Sequence, residues 1–316
     1  MHVRARRALL AGMAALAAML AGCATQTAAL LEKTPEDLPA RVELEATPFF
    51  AQERYQCGPA ALAETLAAAG VGATPDDLVP QVYVPAREGS LQPEMLAAAR
   101  RNGTFAMTIP PRLDALLAEV AAGHPVLVLQ NLSLQWFPIW HYAVVVGYDL
   151  PRGDIVLRSG TTRRMAMSMS TFEHTWMRSG GWAMVTLRPG HLPRTAEEQT
   201  AVAAAVAFER ANGAAASRRV YSAAAQRWPQ NLPLLLGVGG SAYAAGDRAA
   251  AVEAFSRAAA LQPDSAPALN NLAFALNAVG RREEARATAQ KALLLGGPWQ
   301  DAVRDTLRAI DELPPR

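Results

Sequence analysis

The hydrophobic positions along the chain follow two patterns, and the change comes near residue 190. From about residue 47 to 190, several helical patterns precede short apolar, β-branched runs bounded by turn residues. Helices are predicted at 60–69, 92–102, 113–122 and 171–177, and strands at 125–132, 141–148, 154–160 and 182–189. Early helices followed by strands that are mostly joined by hairpins are typical of an α+β domain.

Beyond this region the sequence repeats every 34 residues. Pro229 recurs as Pro263, Gly246 recurs as Gly280, and alanines recur at the same interval. The period and the pattern resemble the tetratricopeptide repeat, in which each unit is a pair of helices that stacks on the next.

Three such repeats are predicted over 198–299, as an all-α solenoid, with a capping helix and tail over 300–316. The middle repeat, 232–265, matches the pattern best. The first repeat, 198–231, is degenerate, and the third lacks the aromatic residue and has its proline one place late. The glycines of "GVGGSAYAAG" lie in a repeat helix, where they permit close helix packing.

The N-terminus combines basic residues with an apolar run. Arg4, Arg6 and Arg7 precede an apolar stretch that ends in "LAGC" at 20–23, which resembles the lipobox of bacterial lipoproteins. The resemblance implies a signal peptide over 1–22, a lipid on Cys23 and a tether over 23–46. The alternative is an ordinary signal with a chance cysteine.

By the same resemblance, Ala24 after the cysteine implies sorting to the outer membrane, with the protein facing the periplasm. Removing the signal also changes the charge balance. The whole chain has 30 Lys and Arg against 28 Asp and Glu, and without the three signal arginines 27 remain against 28. The basic character of the whole chain is therefore no argument for nucleic acid, and no nucleic-acid partner is expected.

Cys57 is the first candidate for chemistry. It directly precedes Gly58, Pro59 and a run of helix-forming residues. At a helix N-terminus, unpaired backbone N–H groups and the helix dipole favour a thiolate over a thiol. A thiolate nucleophile needs a base, and His141 begins a predicted strand 84 residues later. The alternative is that Cys57 is a small buried apolar residue.

Two motifs carry a family resemblance. "QERYQCGPAAL" at 52–62 and "HYAVVVGYD" at 141–149 resemble the bacteriocin-processing cysteine peptidases, papain-like domains that cut leader peptides after a double glycine. The resemblance implies a papain-like α+β peptidase domain over 47–190, with Cys57 as nucleophile and His141 as base.

The resemblance also assigns the oxyanion donor to Gln52. A side-chain amide there, together with the backbone N–H of Cys57, would face the developing negative charge. Gln56 is the second candidate, and either glutamine could instead be a surface polar residue.

The family's third catalytic residue is an aspartate that orients the histidine, and here the sequence departs from the pattern. If the hairpin turns at Pro151 and Arg152, the numbers of residues paired across it add to about 303, so His141 faces the region of residues 159–162. Asp149 lies eight residues along the strand from His141, roughly 26 Å at about 3.3 Å per residue. Asp154 at the same turn is equally excluded.

Ser159 stands where the aspartate is expected. A hydroxyl can fix the tautomer of an imidazole but offers no negative charge to an imidazolium. Slower catalysis, an acid supplied from elsewhere in the fold and an inactive homologue all remain open.

The remaining histidines and tryptophans suggest less. His124, His174 and His191 have no metal-ligand spacing, so neither a metal nor another cofactor is expected. Trp136 and Trp140, together with Trp182, either line a substrate groove or pack in the core.

Two functions remain from the sequence. The first is a lipid-anchored cysteine peptidase or amide hydrolase of the cell envelope, whose repeats dock a peptide or protein substrate or a protein partner, and which meets the membrane only through its lipid. The second is a catalytically inactive peptidase-like scaffold that binds a partner. The double-glycine specificity is not carried over, because no transporter segment accompanies the domain.

Overall fold

The computed structural model describes residues 24–51 and 56–312. These residues form two compact units. The first contains the described residues up to Met95 together with Thr108–Val185 and Pro193–Thr195, and the second contains Leu96–Met107, Thr186–Leu192 and the described residues from Ala196 onward. Within the described ranges, no helix has both the length and the apolar character that crossing a membrane requires.

The elements up to residue 121 are short. They are α1 (Thr25–Glu32), β1 (Arg41–Glu43), α2 (Cys57–Ala68), α3 (Pro75–Val82), β2 (Tyr83–Val84), β3 (Gly89–Ser90), α4 (Gln92–Arg101), β4 (Phe105–Thr108) and α5 (Leu113–Ala121). The longest strands follow as β5 (Val126–Asn131), β6 (Trp140–Asp149), β7 (Asp154–Ser159) and β8 (Thr162–Ser168), and then come α6 (Met169–Met177) and β9 (Ala183–Leu187).

Strand β6 is the centre of the sheet in the first unit. Neighbouring strands follow the order β9-β5-β6-β7-β8, and all the pairings with β6 are antiparallel. β5 pairs with β6 from Trp140 to Val145, and β1 pairs with its last residues, Gly147–Asp149. β6 is irregular between Val145 and Gly147, and a Cβ on Gly147 would lie 2.5 Å from the carbonyl oxygen of Val42. Glycine therefore permits β1 to lie this close.

Helix α2 is the most buried helix of the first unit. Its sequence, CGPAALAETLAA, is apolar on nearly all sides, as expected for a helix enclosed by protein. Leu62 and Leu66 have no exposed surface, and the helix packs against α3 and β6. The helix begins at Cys57, three residues before the predicted start, because Gly58 and Pro59 are both accepted in a first turn.

The prediction of a tether over 23–46 is wrong for part of that segment. Residues 25–32 form α1 and residues 41–43 form β1, and both elements belong to the first unit. The backbone N–H groups of Gln26 and Thr27 donate to the carboxylate of Glu173 in α6, at 3.0 and 2.7 Å. These two hydrogen bonds tie the start of α1 to α6, and Leu30 of α1 is buried.

The second unit is dominated by helices. They are α7 (Glu198–Asn212), α8 (Arg218–Arg227), α9 (Leu232–Ala244), α10 (Arg248–Leu261), α11 (Ala266–Ala278), α12 (Arg282–Leu294) and α13 (Gln300–Glu312). Three helices begin at side-chain caps, in which Asn231, Asp247 and Ser265 accept from the backbone N–H three residues later. Consecutive helices pack in pairs around alanine-rich cores. An α+β domain followed by an all-helical segment is thus confirmed.

Two glycines of α9 explain how closely these helices pack. A Cβ on Gly237 would lie 2.3 Å from the ring of Tyr221, and one on Gly239 would lie 2.4 Å from the ring of Phe255. Gly240, the next residue, has nothing within 4 Å of the same position. The predicted role of glycine in close packing is therefore confirmed at two positions of α9.

Candidate active site

Cys57 is the first residue of α2 and is half-buried. Burial is the largest influence on its thiol and raises the pKa, against the lowering effect of backbone hydrogen bonds from Tyr142, from Gly58 and from its own N–H. The pKa is raised overall. The helix N-terminus does favour the thiolate, as the sequence suggested, but desolvation outweighs it here. The resting thiol is therefore protonated at neutral pH.

His141 is placed near Cys57 by the backbone of its neighbour in the chain. It is the second residue of β6, and the next residue, Tyr142, supplies one of the backbone hydrogen bonds to the sulfur. Burial lowers the pKa of the His141 imidazole. The nucleophile and the base predicted from the sequence are thus brought to one place, and both favour their uncharged forms.

Ser159, the last residue of β7, contacts His141. Its Oγ lies 2.8 Å from Nε2 of His141, and the side chain is almost fully buried. The β6–β7 register pairs Tyr148 with Ile155, a sum of 303, and Val144 with Arg158, a sum of 302 after the irregularity in β6. The register inferred from the hairpin therefore agrees with the structure to within one residue.

The two aspartates at the hairpin turn do not approach His141. Asp149 pairs with Arg41 at 3.0 Å, and Asp154 pairs with Arg152 at 3.1 Å. Burial alone accounts for the lowered pKa of His141, with no carboxylate among its causes. Among the described residues, the hydrogen-bond partner of the imidazole is a hydroxyl.

Two protein-family models match parts of this chain. Residues 44–184 match the model of the Peptidase_C39 like family, and residues 242–308 match the model of the tetratricopeptide repeat. Residues 44–184 form a C39-like peptidase domain. Cys57, His141 and Ser159 all lie inside the matched range, and the repeats lie C-terminal to the C39-like domain.

Solved structures give two further similarities. A crystal structure described as a C39-like peptidase from Bacillus anthracis is 19% identical, with a TM-score of 0.41, over 48% of this chain and 98% of its own. The first tetratricopeptide repeat domain of Spaghetti (RPAP3), bound to an HSP90 peptide, is 18% identical, with a TM-score of 0.34, over 36% of this chain and 90% of its own. No curated protein matches the chain.

Two of the residues assigned from the resemblance lie outside the described residues. They are Gln52, the expected oxyanion donor, and Cys23, the expected lipidation site. Gln56, the second oxyanion candidate, is described: it is the residue that precedes α2, and its side chain does not cap the helix. Gln56 thus stands directly beside Cys57, the predicted nucleophile.

The three tryptophans near the site divide into two kinds. Trp182 packs in the C39-like domain, edge to face with Tyr142 at a centroid distance of 5.8 Å. Trp136, on the segment that joins β5 to β6, and Trp140, the first residue of β6, are exposed. Packing in the core and exposure to solvent therefore both occur, and the exposed Trp140 directly precedes His141 along the chain.

Glu64 is a buried carboxylate that the sequence interpretation missed. It lies on α2 two turns after Cys57, is fully buried, and accepts a hydrogen bond from the backbone N–H of Phe50 at 3.0 Å. Burial raises its pKa to about 7, opposed by that hydrogen bond and by the charge of Arg158. The sequence does contain a signal for Glu64: it is an acidic residue seven places after the cysteine, in a helix that is otherwise mostly apolar.

Proposed function

We propose that this chain is a cysteine peptidase or amide hydrolase in which Cys57 attacks a carbonyl carbon and His141 first accepts and then returns the proton. The observation that carries the proposal is the meeting of three groups. The thiol of Cys57 reaches the backbone of Tyr142, and the neighbouring His141 is held through Nε2 by the hydroxyl of Ser159 at 2.8 Å.

The hydrogen bond at Nε2 defines the base. When the Ser159 hydroxyl accepts a hydrogen bond from Nε2–H, Nδ1 keeps its lone pair and can receive the thiol proton. As the sulfur bonds to the carbonyl carbon, that proton moves to Nδ1. It then passes to the leaving amine as the C–N bond breaks, and water cleaves the thioester. The backbone N–H of Cys57 faces the oxyanion, with Gln52 as the proposed side-chain donor and Gln56 as the alternative.

The raised pKa of Cys57 and the lowered pKa of His141 favour a neutral resting pair over a thiolate and an imidazolium. Proton transfer then accompanies attack instead of preceding it. Ser159 supplies orientation without charge, so the imidazolium that forms is less stabilised than one beside a carboxylate. We therefore propose a slower enzyme than one with an aspartate at this position.

Digestion of a peptide library by the chain beginning at Ala24, followed by mass spectrometry, tests the proposal. We expect cleavage at a recurring sequence, reduced about 10³-fold or more by Cys57→Ser or His141→Ala. Ser159→Ala should reduce the rate about tenfold or less, as expected for one neutral hydrogen bond. Ser170→Ala removes an exposed hydroxyl on α6, so it is the matched control and should leave the rate unchanged.

The same variants test the alternative function, a catalytically inactive scaffold. The absence of a carboxylate on His141, among the described residues, favours an inactive scaffold that binds a partner. In that case no library peptide is cleaved, and Cys57→Ser behaves as the unchanged chain does. Cleavage that survives Cys57→Ser would contradict the nucleophile itself.

We further propose that the chain is a lipoprotein of the outer membrane, facing the periplasm, with its lipid on Cys23. The support is the sequence alone, in the basic residues, apolar run and "LAGC" of the first 23 residues. The repeats then dock a peptide or protein substrate or a protein partner, which is consistent with the stacked helical pairs of the second unit.

A further inference from the structure

The segment that joins β5 to β6, together with the first residue of β6, exposes several large apolar side chains. Trp136 is 81% exposed and Phe137 is 72% exposed. The others, each about half exposed, are Leu132, Leu134, Ile139 and Trp140. We call residues 132–140 the apolar loop. Large apolar patches of this kind on a soluble surface mark an interaction site.

The apolar loop has a defined shape. Oδ1 of Asn131 accepts from the backbone N–H groups of Ser133 and Ile139, both at 3.0 Å. Across the loop, the backbone of Leu134 pairs with that of Phe137. These hydrogen bonds satisfy backbone groups at the base and the tip of the apolar loop, so its backbone is ordered before binding. Binding through its side chains therefore costs little conformational entropy.

The apolar loop itself has no charged side chain, although the guanidinium of Arg178 donates to its backbone. No Lys, Arg, Asp or Glu occurs from Pro125 to Tyr148. Leucine, isoleucine and phenylalanine favour the acyl region of a bilayer, and the amphipathic ring of tryptophan favours the interface with the headgroups. The composition therefore fits a lipid surface.

The position of the N-terminus favours the same occupant. Nε2 of Gln26, in α1, lies 3.5 Å from the sulfur of Met177 in α6. The next residue, Arg178, donates through Nη1 to the carbonyl oxygen of Ser133 in the apolar loop, at 2.8 Å. Cys23 precedes Gln26 by three residues, which span at most about 11 Å of extended chain. A lipid on Cys23 would thus be tied to the corner of the first unit that also holds the apolar loop.

We propose that the apolar loop inserts into the bilayer interface beside the lipid anchor, so that the membrane is bound at two points. The inference rests on the proposed lipidation for its second point of attachment. Since His141 directly follows Trp140, binding through the apolar loop holds the catalytic histidine close to the membrane surface.

Vesicle flotation of the unlipidated chain beginning at Ala24 tests the inference. The vesicles are a three-to-one mixture of phosphatidylethanolamine and phosphatidylglycerol. We expect the chain to float with the vesicles, and the double variant Trp136→Ser, Phe137→Ser to partition at least about tenfold less, because each large apolar side chain that leaves water contributes a factor of that order. High salt should leave flotation unchanged, because the apolar loop is uncharged.

Leu294→Ser is the matched control for apolar exposure. Leu294 is 88% exposed in the second unit, and its loss should not change flotation. Circular dichroism and the thermal midpoint establish that each variant folds, and Trp136→Ser alone provides a milder change. Fluorescence quenching by brominated lipids reports whether tryptophan itself enters the bilayer.

Several outcomes would overturn the inference. They are a chain that does not float, a double variant that floats as well as the unchanged chain, and binding that is lost in high salt. Self-association through the apolar loop, seen as a dimer that the double variant abolishes while flotation is unchanged, would assign the surface to a second copy. Loss of peptide cleavage without any change in flotation would assign it to substrate. Because the chain tested has no lipid and flotation needs no catalysis, failure here leaves the proposed peptidase activity and lipidation to their own tests.

Discussion

At the scale of single residues, the acid–base state of Cys57 and His141 decides how the site can work. Burial raises the pKa of the thiol and lowers the pKa of the imidazole. Both shifts favour uncharged partners, so the proposed reaction depends on a proton transfer that accompanies attack. A thiolate waiting at rest, which the helix N-terminus alone would suggest, is not the state this environment favours.

The pH dependence of Cys57 alkylation measures this state directly. In the chain beginning at Ala24, Cys57 is the sole cysteine. We expect the iodoacetamide rate to follow a midpoint above the ordinary cysteine pKa of about 8.5. The same chain in urea should show the ordinary midpoint, and His141→Ala should shift the folded midpoint little. A folded midpoint below that in urea, raised by His141→Ala, would instead indicate a thiolate–imidazolium pair.

Glu64 makes stability depend on pH. Its folded pKa of about 7 lies above its ordinary value of 4.5, so the folded state holds this proton over the intervening range. The free energy of unfolding should therefore fall as pH rises through that range, by about 3 kcal/mol from this group. Glu64→Gln should remove that part of the slope, as urea denaturation at about pH 5 and about pH 8 would measure.

Glu119 is the matched control, since it is equally buried and its pKa shifts in the opposite direction. Burial raises its pKa, but hydrogen bonds from His124 and Thr195 overcome that effect, and the pKa is lowered overall. Its stabilisation is present at neutral pH and is lost as pH falls through its folded pKa. Glu119→Gln should thus be most destabilising at neutral pH. Parallel behaviour of the two variants would contradict the assignment.

At the scale of elements, sequence patterns located the long strands and the repeat helices, and failed where an element depends on tertiary contacts. α1 and β1 have little apolar periodicity, and their places are set by Glu173 and by β6. β8 was not predicted either, because most of its side chains are exposed and its order comes from pairing with β7. For α3 a signal was present and unused, since Thr74 and Asp77 form a capping box.

The candidate site, like the fold, was predictable from the sequence only in part. Hairpin numbering placed Ser159 near His141, because antiparallel pairing is fixed by the turn. The direction of the Cys57 pKa shift was not predictable, because it depends on burial by residues distant in sequence. The same reason hid Glu64, whose partner at Phe50 comes from the chain before α2.

Helix α9 offers a paired test of close packing. Gly239→Ala should destabilise the second unit by about 1–3 kcal/mol, because the added Cβ would overlap the ring of Phe255. Gly240→Ala should be neutral or stabilising by up to about 1 kcal/mol, since nothing lies near it and alanine favours helix. Thermal unfolding followed by circular dichroism measures both. Equal effects would mean that helix propensity, and not the contact with Phe255, governs this position.

At the scale of the whole molecule, the chain joins a C39-like domain to helical repeats, with a signal-like N-terminus before both. The domain supplies the candidate chemistry and the repeats a surface of stacked helices. Neither unit identifies a substrate by itself. The location of the chain therefore bears directly on which peptides it can meet.

Metabolic labelling with palmitate tests that location. In a bacterial host we expect the full chain to take up label and to fractionate with the outer membrane. Cys23→Ser should abolish labelling, while Cys57→Ser, the other cysteine change, should leave it intact. Label that persists in Cys23→Ser, or a full chain released to the soluble fraction, would contradict the lipoprotein proposal.

Burial of Cys57 also affects how fast its thiol is oxidised in the absence of substrate. A thiolate attacks peroxides and disulfides far faster than a thiol does, so a cysteine kept protonated forms sulfenic acid and mixed disulfides slowly. Cys57 is a free cysteine in the described part of the chain, and the compartment proposed for it is oxidising. The desolvation that keeps Cys57 protonated therefore also protects it from oxidation, and a variant with a stable thiolate at this position should be oxidised first by peroxide.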